Sequence, residues 1–270
     1  MSSQPSLHGV HYPPQSQGRQ TRETTSSSAW LSRLCCLSDP AQDTDRLAQA
    51  QRPDLSNILR IDRALAQQRT RDALLPFLGN RYNMNQVADA IGQQIGDGVC
   101  YGLSMEWLAH RRSGGAGQQP DSLAALRSPA ALTRAQAVQN RYVGYQQSIQ
   151  AVSHDPSVRT DMAMMEMFRQ HRVQAGREAG PFSGASVGTL TRKPGDYVIA
   201  LAGYGTGHAI TLHRPTRHEP DQRLTVFDSN MGEFKVSRRN EKYFFDAMRA
   251  RYDVIGSRFT SATAYSISME

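Results

Sequence analysis

A cysteine nucleophile needs a thiol placed where a thiolate is favoured, an imidazole to exchange its proton, and a carboxylate or amide to hold that imidazole. Cys100 meets the first requirement: Gly96-Asp97-Gly98 makes a turn ahead of it, and a helical pattern starts at it. Unpaired backbone N–H groups and the positive end of the helix dipole at such a start favour the thiolate. By position alone Cys100 also suits a small buried residue packed beside Leu103 and Trp107. The other two requirements are met far along the chain. His208 lies in Gly205-Thr206-Gly207-His208-Ala209-Ile210-Thr211, at the mouth of a strand pattern, 108 residues after the cysteine. Asp228 ends the next strand pattern, 20 residues further on, and two adjacent antiparallel strands bring such side chains together.

The elements that must position these groups are legible in outline. Ile58, Ile61, Ala64 and Leu65 recur at helical spacing through Leu74 and Leu75, until Pro76 and Gly79 end the run. A second helix is expected from Met84 to Gln94, and a third carries Cys100, Leu103, Trp107 and Leu108 on one face as far as Gly114-Gly115. Trp107 and Leu103 read as core. Residues 122–175 read as two or three helices with a break at Asp155-Pro156. After Gly176 the period becomes that of strands: 186–191, 197–202, 208–213, 224–228 and 234–237. A helix at 240–251 and a last strand at 262–268 complete an α+β fold, a helical part followed by an antiparallel β-sheet.

Composition narrows the function classes. The chain has 270 residues, 39% of them hydrophobic and 20% charged, long enough for a core without disulfide staples. Its longest apolar run, near Tyr197 to Ala202, is far short of a membrane span. The net charge of +7 is almost wholly arginine and scattered among acids, so no nucleic-acid partner is expected. Three cysteines, two of them adjacent, make neither a disulfide framework nor a four-cysteine zinc site. His213 and His218 with Glu219 and Asp221 suggest a metal, but they fall in a polar hairpin and lack a third spaced ligand, so neither metal nor other cofactor is expected. Asn230 either assists the aspartate or simply makes its turn.

Three passages resemble the YopT/AvrPphB family of type III effector cysteine proteases, within the papain-like clan. Val99-Cys100-Tyr101-Gly102-Leu103-Ser104-Met105-Glu106-Trp107-Leu108 is similar to its nucleophile segment, Gly207-His208-Ala209-Ile210 to its histidine strand, and Phe227-Asp228-Ser229-Asn230-Met231-Gly232-Glu233-Phe234 to its aspartate turn. The resemblance covers roughly Ala90 to Glu270 and implies a papain-like fold. It also implies that Cys100 attacks a peptide carbonyl, that His208 acts as base and then acid, and that Asp228 orients it. The Cys100 N–H would be one oxyanion donor, and the clan supplies a side-chain amide just upstream, for which Gln94 has the spacing and Gln93 is the neighbouring alternative. The same triad also serves acyl transfer, transglutamination and deamidation, or can persist unused in an interaction module.

Residues 1–55 are rich in Ser, Gln, Pro, Thr and Arg and are expected to form a disordered leader, with residues 56–270 as the protease domain. The first residues lack an apolar stretch behind a basic start, so no cleaved secretory signal is expected. Type III delivery into a host cell is what the resemblance implies, with autoprocessing within residues 25–60. The leader holds one apolar island, Ala29 to Leu37, in which Cys35 and Cys36 are candidates for acylation at the host plasma membrane. Neither cysteine follows a glycine, and Ser2 follows the initiator Met, so myristoylation has no support. The expected partner is a host protein, of the kinase or small-GTPase class, met by a monomeric enzyme in the host cytoplasm.

Overall fold

The computed structural model describes residues 55–90, 92, 98–113, 122–171, 173–203 and 206–269. The leader, with Cys35 and Cys36, and both upstream glutamines, Gln93 and Gln94, lie outside the described residues. Helix α1 (Leu55–Leu74) ends where Pro76 forces a short 3-10 turn, Leu75–Phe77, and strand β1 (Leu78–Arg81) follows. Helices α2 (Met84–Ala90), α3 (Cys100–Ser113), α4 (Ser122–Leu126), α5 (Pro129–Ile149) and α6 (Pro156–Gln170) come next. The break at Asp155-Pro156 is a helix start: the Asp155 carboxylate accepts the Ser157 N–H at 2.8 Å, and proline takes the first helical position. The rest is β2 (Val173–Pro181), α7 (Gly184–Leu190), β3 (Gly195–Gly203), β4 (Thr206–Arg214), β5 (Leu224–Asp228), β6 (Gly232–Val236), α8 (Glu241–Ile255) and β7 (Phe259–Met269).

The seven strands form one antiparallel sheet in the order β1-β6-β5-β4-β3-β7-β2. Its central strands are buried on both faces, which is why they read as unbroken apolar runs. Alternation sends Val198, Ala200, Ala209 and Phe227 into a core with Leu103, Trp107, Leu132, Met164 and Phe168 of α3, α5 and α6. Tyr197, Ile199, Leu201, Ile210 and Val226 enter a second core with Phe77, Phe244, Phe245, Met248 and Tyr252, beneath α8. The helices therefore cover both faces of the sheet and do not stand apart from it. Among the described residues no helix is long and apolar enough to cross a membrane.

Two expectations fail locally. Residues 186–190 belong to α7, with Thr191 as its C-cap, and not to a strand: the Ser183 side chain caps the helix by accepting the Ser186 N–H at 3.2 Å, and only Gly184 and Val187 of the helix are buried. The helical stretch stops at Gln170, and β2 follows, pairing with β7 from Val173↔Met269 to Pro181↔Ser261. As an edge strand it is mostly exposed and lacks the apolar alternation that marks a strand in sequence. Strand β1, also at an edge, was not foreseen for the same reason.

Candidate active site

Register brings the imidazole and carboxylate together. Ile210 of β4 pairs with Asp228 of β5, and His208 lies two residues from Ile210, so His208 and Asp228 project from the same face at the same end of the sheet. His208 Nε2 lies 3.3 Å from Asp228 Oδ2, with both side chains buried. The opposite face of β4 receives α3, whose Ser104 hydroxyl donates to the Ala209 carbonyl at 3.3 Å. Trp107 stacks on Phe227 of β5, ring centroids 5.8 Å apart and planes 4° from parallel. These contacts lay α3 across β4 and β5, and the helix N-terminus carries the partly buried Cys100 thiol to the His208 ring, with which it interacts. Since Nε2 faces Asp228, Nδ1 is the nitrogen left for the thiol.

The close fit of α3 to α5 depends on Gly102. A Cβ there would lie 1.9 Å from the Ala135 carbonyl oxygen, so only glycine fits. The same approach places the Gln139 side chain over the start of α3, where its Oε1 accepts the N–H groups of Tyr101 at 3.1 Å and Gly102 at 3.3 Å. The Leu103 N–H bonds to the Val99 carbonyl at 2.8 Å. Behind Asp228 the chain turns through Gly232, at φ 130° and pressed against the Asn80 carbonyl of β1, a conformation that suits glycine. That turn lets the Asn230 N–H donate to Asp228 Oδ1 at 2.8 Å. Asn230 thus makes the turn and serves the aspartate as well.

The electrostatics favour an ion pair. Burial pushes the Cys100 thiol up, but its hydrogen bond to His208, the imidazolium charge, and the N–H groups of Ala209 and Tyr101 outweigh burial and leave it below its ordinary value. Burial alone would lower His208, and the charge and hydrogen bond of Asp228, with the thiolate, overcome it and raise the imidazole to about 10. A thiolate beside an imidazolium is the resting form of an activated cysteine.

Sequence reasoning placed Cys100, His208 and Asp228, and the fold brings all three together. It missed three neighbours. Gln139 sits in an Ala/Gln-rich helix with no local signal. Tyr252 of α8 donates its hydroxyl to Asp228 Oδ2, yet in sequence it is one more aromatic residue on an apolar helix face. Phe259 stacks on His208 with centroids 6.2 Å apart. His213 has both ring nitrogens on carboxylates, Nδ1 on Asp196 at 2.7 Å and Nε2 on Glu219 at 2.9 Å. With the 2.8 Å bond from Arg112 to Asp196, these contacts tie the end of α3 to β3 and β4.

No curated protein matches the chain. Among solved structures, its fold is similar to the crystal structure of the Pseudomonas avirulence protein AvrPphB, with a TM-score of 0.56 and 18% identity, over 73% of this chain and 100% of that one. The papain-like arrangement expected from the sequence is thus present as a fold. The profile of the Yersinia/Haemophilus virulence surface antigen family matches residues 78–267, a span that contains all three groups of the site. The chain therefore belongs to the Yersinia/Haemophilus virulence surface antigen family of cysteine peptidases.

Proposed function

We propose that the protein is a thiol endopeptidase in which Cys100 is the nucleophile, His208 the proton carrier and Asp228 its orienting carboxylate. The observation that carries this reading is the continuous line of thiol, imidazole and buried carboxylate at one end of the sheet. The Cys100 thiolate attacks a peptide carbonyl, and the resulting oxyanion takes the Cys100 N–H, the one first-turn donor of α3 that no acceptor among the described residues engages. Gln94 is the proposed second donor. His208 gives its proton to the leaving amine as the C–N bond breaks, leaving an acyl-enzyme. It then takes a proton from water, whose oxygen attacks the thioester and restores the thiolate.

Membership of a virulence family supports delivery through a type III system into a host cell, where the substrate is a host protein of the kinase or small-GTPase class. Autoprocessing is supported by the course of α1. Arg63 Nε donates to the Val254 carbonyl at 3.2 Å and Arg251 donates to the Gln67 carbonyl at 3.0 Å, so α1 runs antiparallel to α8. Its N-terminus thereby leads back toward the end of the sheet where Tyr252 and Phe259 meet His208. Acylation of Cys35 and Cys36 would hold the leader at the host membrane. Incubating host lysate with wild type or Cys100→Ser and labelling new N-termini tests the reaction. Cleavage by wild type alone supports an endopeptidase, whereas glutamine side chains altered without new N-termini reject it in favour of acyl transfer or deamidation.

A further inference from the structure

Asp228 has no exposed surface, so its oxygens must find donors inside the protein. Oδ1 accepts the Asn230 N–H, while Oδ2 accepts from two side chains at once, His208 Nε2 and the Tyr252 hydroxyl. The chemistry of the acceptor fixes the direction of that hydroxyl. A carboxylate oxygen can only accept, so the phenolic proton is committed to Asp228. Tyr252 is itself 2% exposed, and its ring lies 5.3 Å from that of His208 and 5.0 Å from that of Phe259. The hydroxyl is therefore held rigidly by α8 on one side and the Asp228 turn on the other.

We propose that Tyr252 is a positioning residue of the site: by sharing Asp228 Oδ2 with His208, it sets how strongly the carboxylate holds the imidazolium. The inference rests on the reading of Cys100, His208 and Asp228 as a catalytic triad. An oxygen that accepts two donors offers each less charge than one that serves a single donor. The 3.3 Å contact from His208 fits this, because an unshared bond between an imidazolium and a carboxylate is typically about 2.7–2.9 Å. A neutral phenol donates to Asp228 without cancelling its charge, as an arginine would.

The test is the pH dependence of Cys100 carboxymethylation by iodoacetate, read by mass spectrometry on the Cys100 peptide so that Cys35 and Cys36 do not contribute. This anionic reagent needs thiolate and imidazolium together, so its rate rises as the pair forms and falls as the imidazolium loses its proton. Tyr252→Phe keeps the ring and removes the donor, leaving Oδ2 to His208 alone. The alkaline limb is expected to move up by about half a pH unit or more. Site-specific replacement of Tyr252 by a fluorinated tyrosine, a stronger donor with the same shape, is expected to move it down. A purely structural tyrosine would change Tm and leave the limb in place. A bell-shaped wild-type profile with the alkaline limb unmoved in both variants overturns the role of Tyr252 and leaves the triad intact. A wild type with no such bell overturns both. If Tyr252→Phe does not fold, the fluorinated variant alone decides.

Discussion

Replacing Gln139 by Glu separates the packing role of this residue from its electrostatic one. The carboxylate keeps the shape of the amide and still accepts the Tyr101 and Gly102 N–H groups. It also adds a negative charge at the start of α3, one residue from the thiolate. Two unit charges interact by about 4 kcal/mol at about 4 Å and an effective dielectric of about 20, hence by about 2 kcal/mol at twice that distance. That opposes thiolate formation by about 1.5 pKa units. Helix stability is expected to hold or rise by about 0.3–1 kcal/mol, since a negative charge suits a helix N-terminus. Gln139→Leu does the reverse: two buried donors lose their acceptor at about 1–3 kcal/mol each, and no charge is added. The assay is alkylation of Cys100 by iodoacetamide as a function of pH, with thermal melts alongside. The pH of half-maximal rate should rise by about 1.5 units in Gln139→Glu at unchanged Tm, and should not rise in Gln139→Leu, whose Tm falls. A folded Gln139→Glu variant with the wild-type profile refutes the placement of Gln139 beside Cys100.

Three further outcomes follow from the same geometry. The stability that protonated His208 contributes is present in full below its ordinary value of about 6.5 and is lost as pH rises through about 10. The thiolate works in the opposite sense only until the unfolded cysteine also ionises, near 8.5–9, so above about pH 9 urea titrations should show wild-type stability falling more steeply than that of His208→Gln; equal slopes contradict the raised imidazole. Gly102→Ala forces a methyl group against the Ala135 carbonyl and should cost about 1–3 kcal/mol or more, seen as a Tm several degrees lower. Glu241→Gln strips Arg214 of a bidentate partner, two bonds of 2.8 Å in a buried setting, and should destabilise by about 3–5 kcal/mol in chemical denaturation.

What could be read in advance divides along physical lines. The central strands, the helix that starts at Cys100 and the Asp155-Pro156 boundary carry strong local signals, because burial on both faces, helical periodicity and capping chemistry each leave a pattern in consecutive residues. Edge strands such as 173–181 leave none, since their pairing is set by a distant partner and their side chains stay in solvent. Residues 186–191 misled because Val187, Thr189 and Thr191 favour strands in isolation, while the Ser183 cap and the packing of Gly184 against Lys242 select a helix. Cys100, His208 and Asp228 were legible because their chemistry is restrictive and their segments are distinctive. Gln139 and Tyr252 were hidden, since each acquires its role through a contact made only in the folded chain, 38 residues from Tyr101 and 24 from Asp228.

Whether Cys100 is an activated thiolate is decided by covalent labelling. Wild type and Cys100→Ser are each incubated at neutral pH with an epoxysuccinyl thiol-protease inhibitor and examined as intact protein and as peptides by mass spectrometry. One inhibitor adduct is expected on wild type, located at Cys100, and none on the serine variant. A folded wild type that remains unlabelled at Cys100, or labels there no faster than an ordinary free thiol, would contradict an activated Cys100.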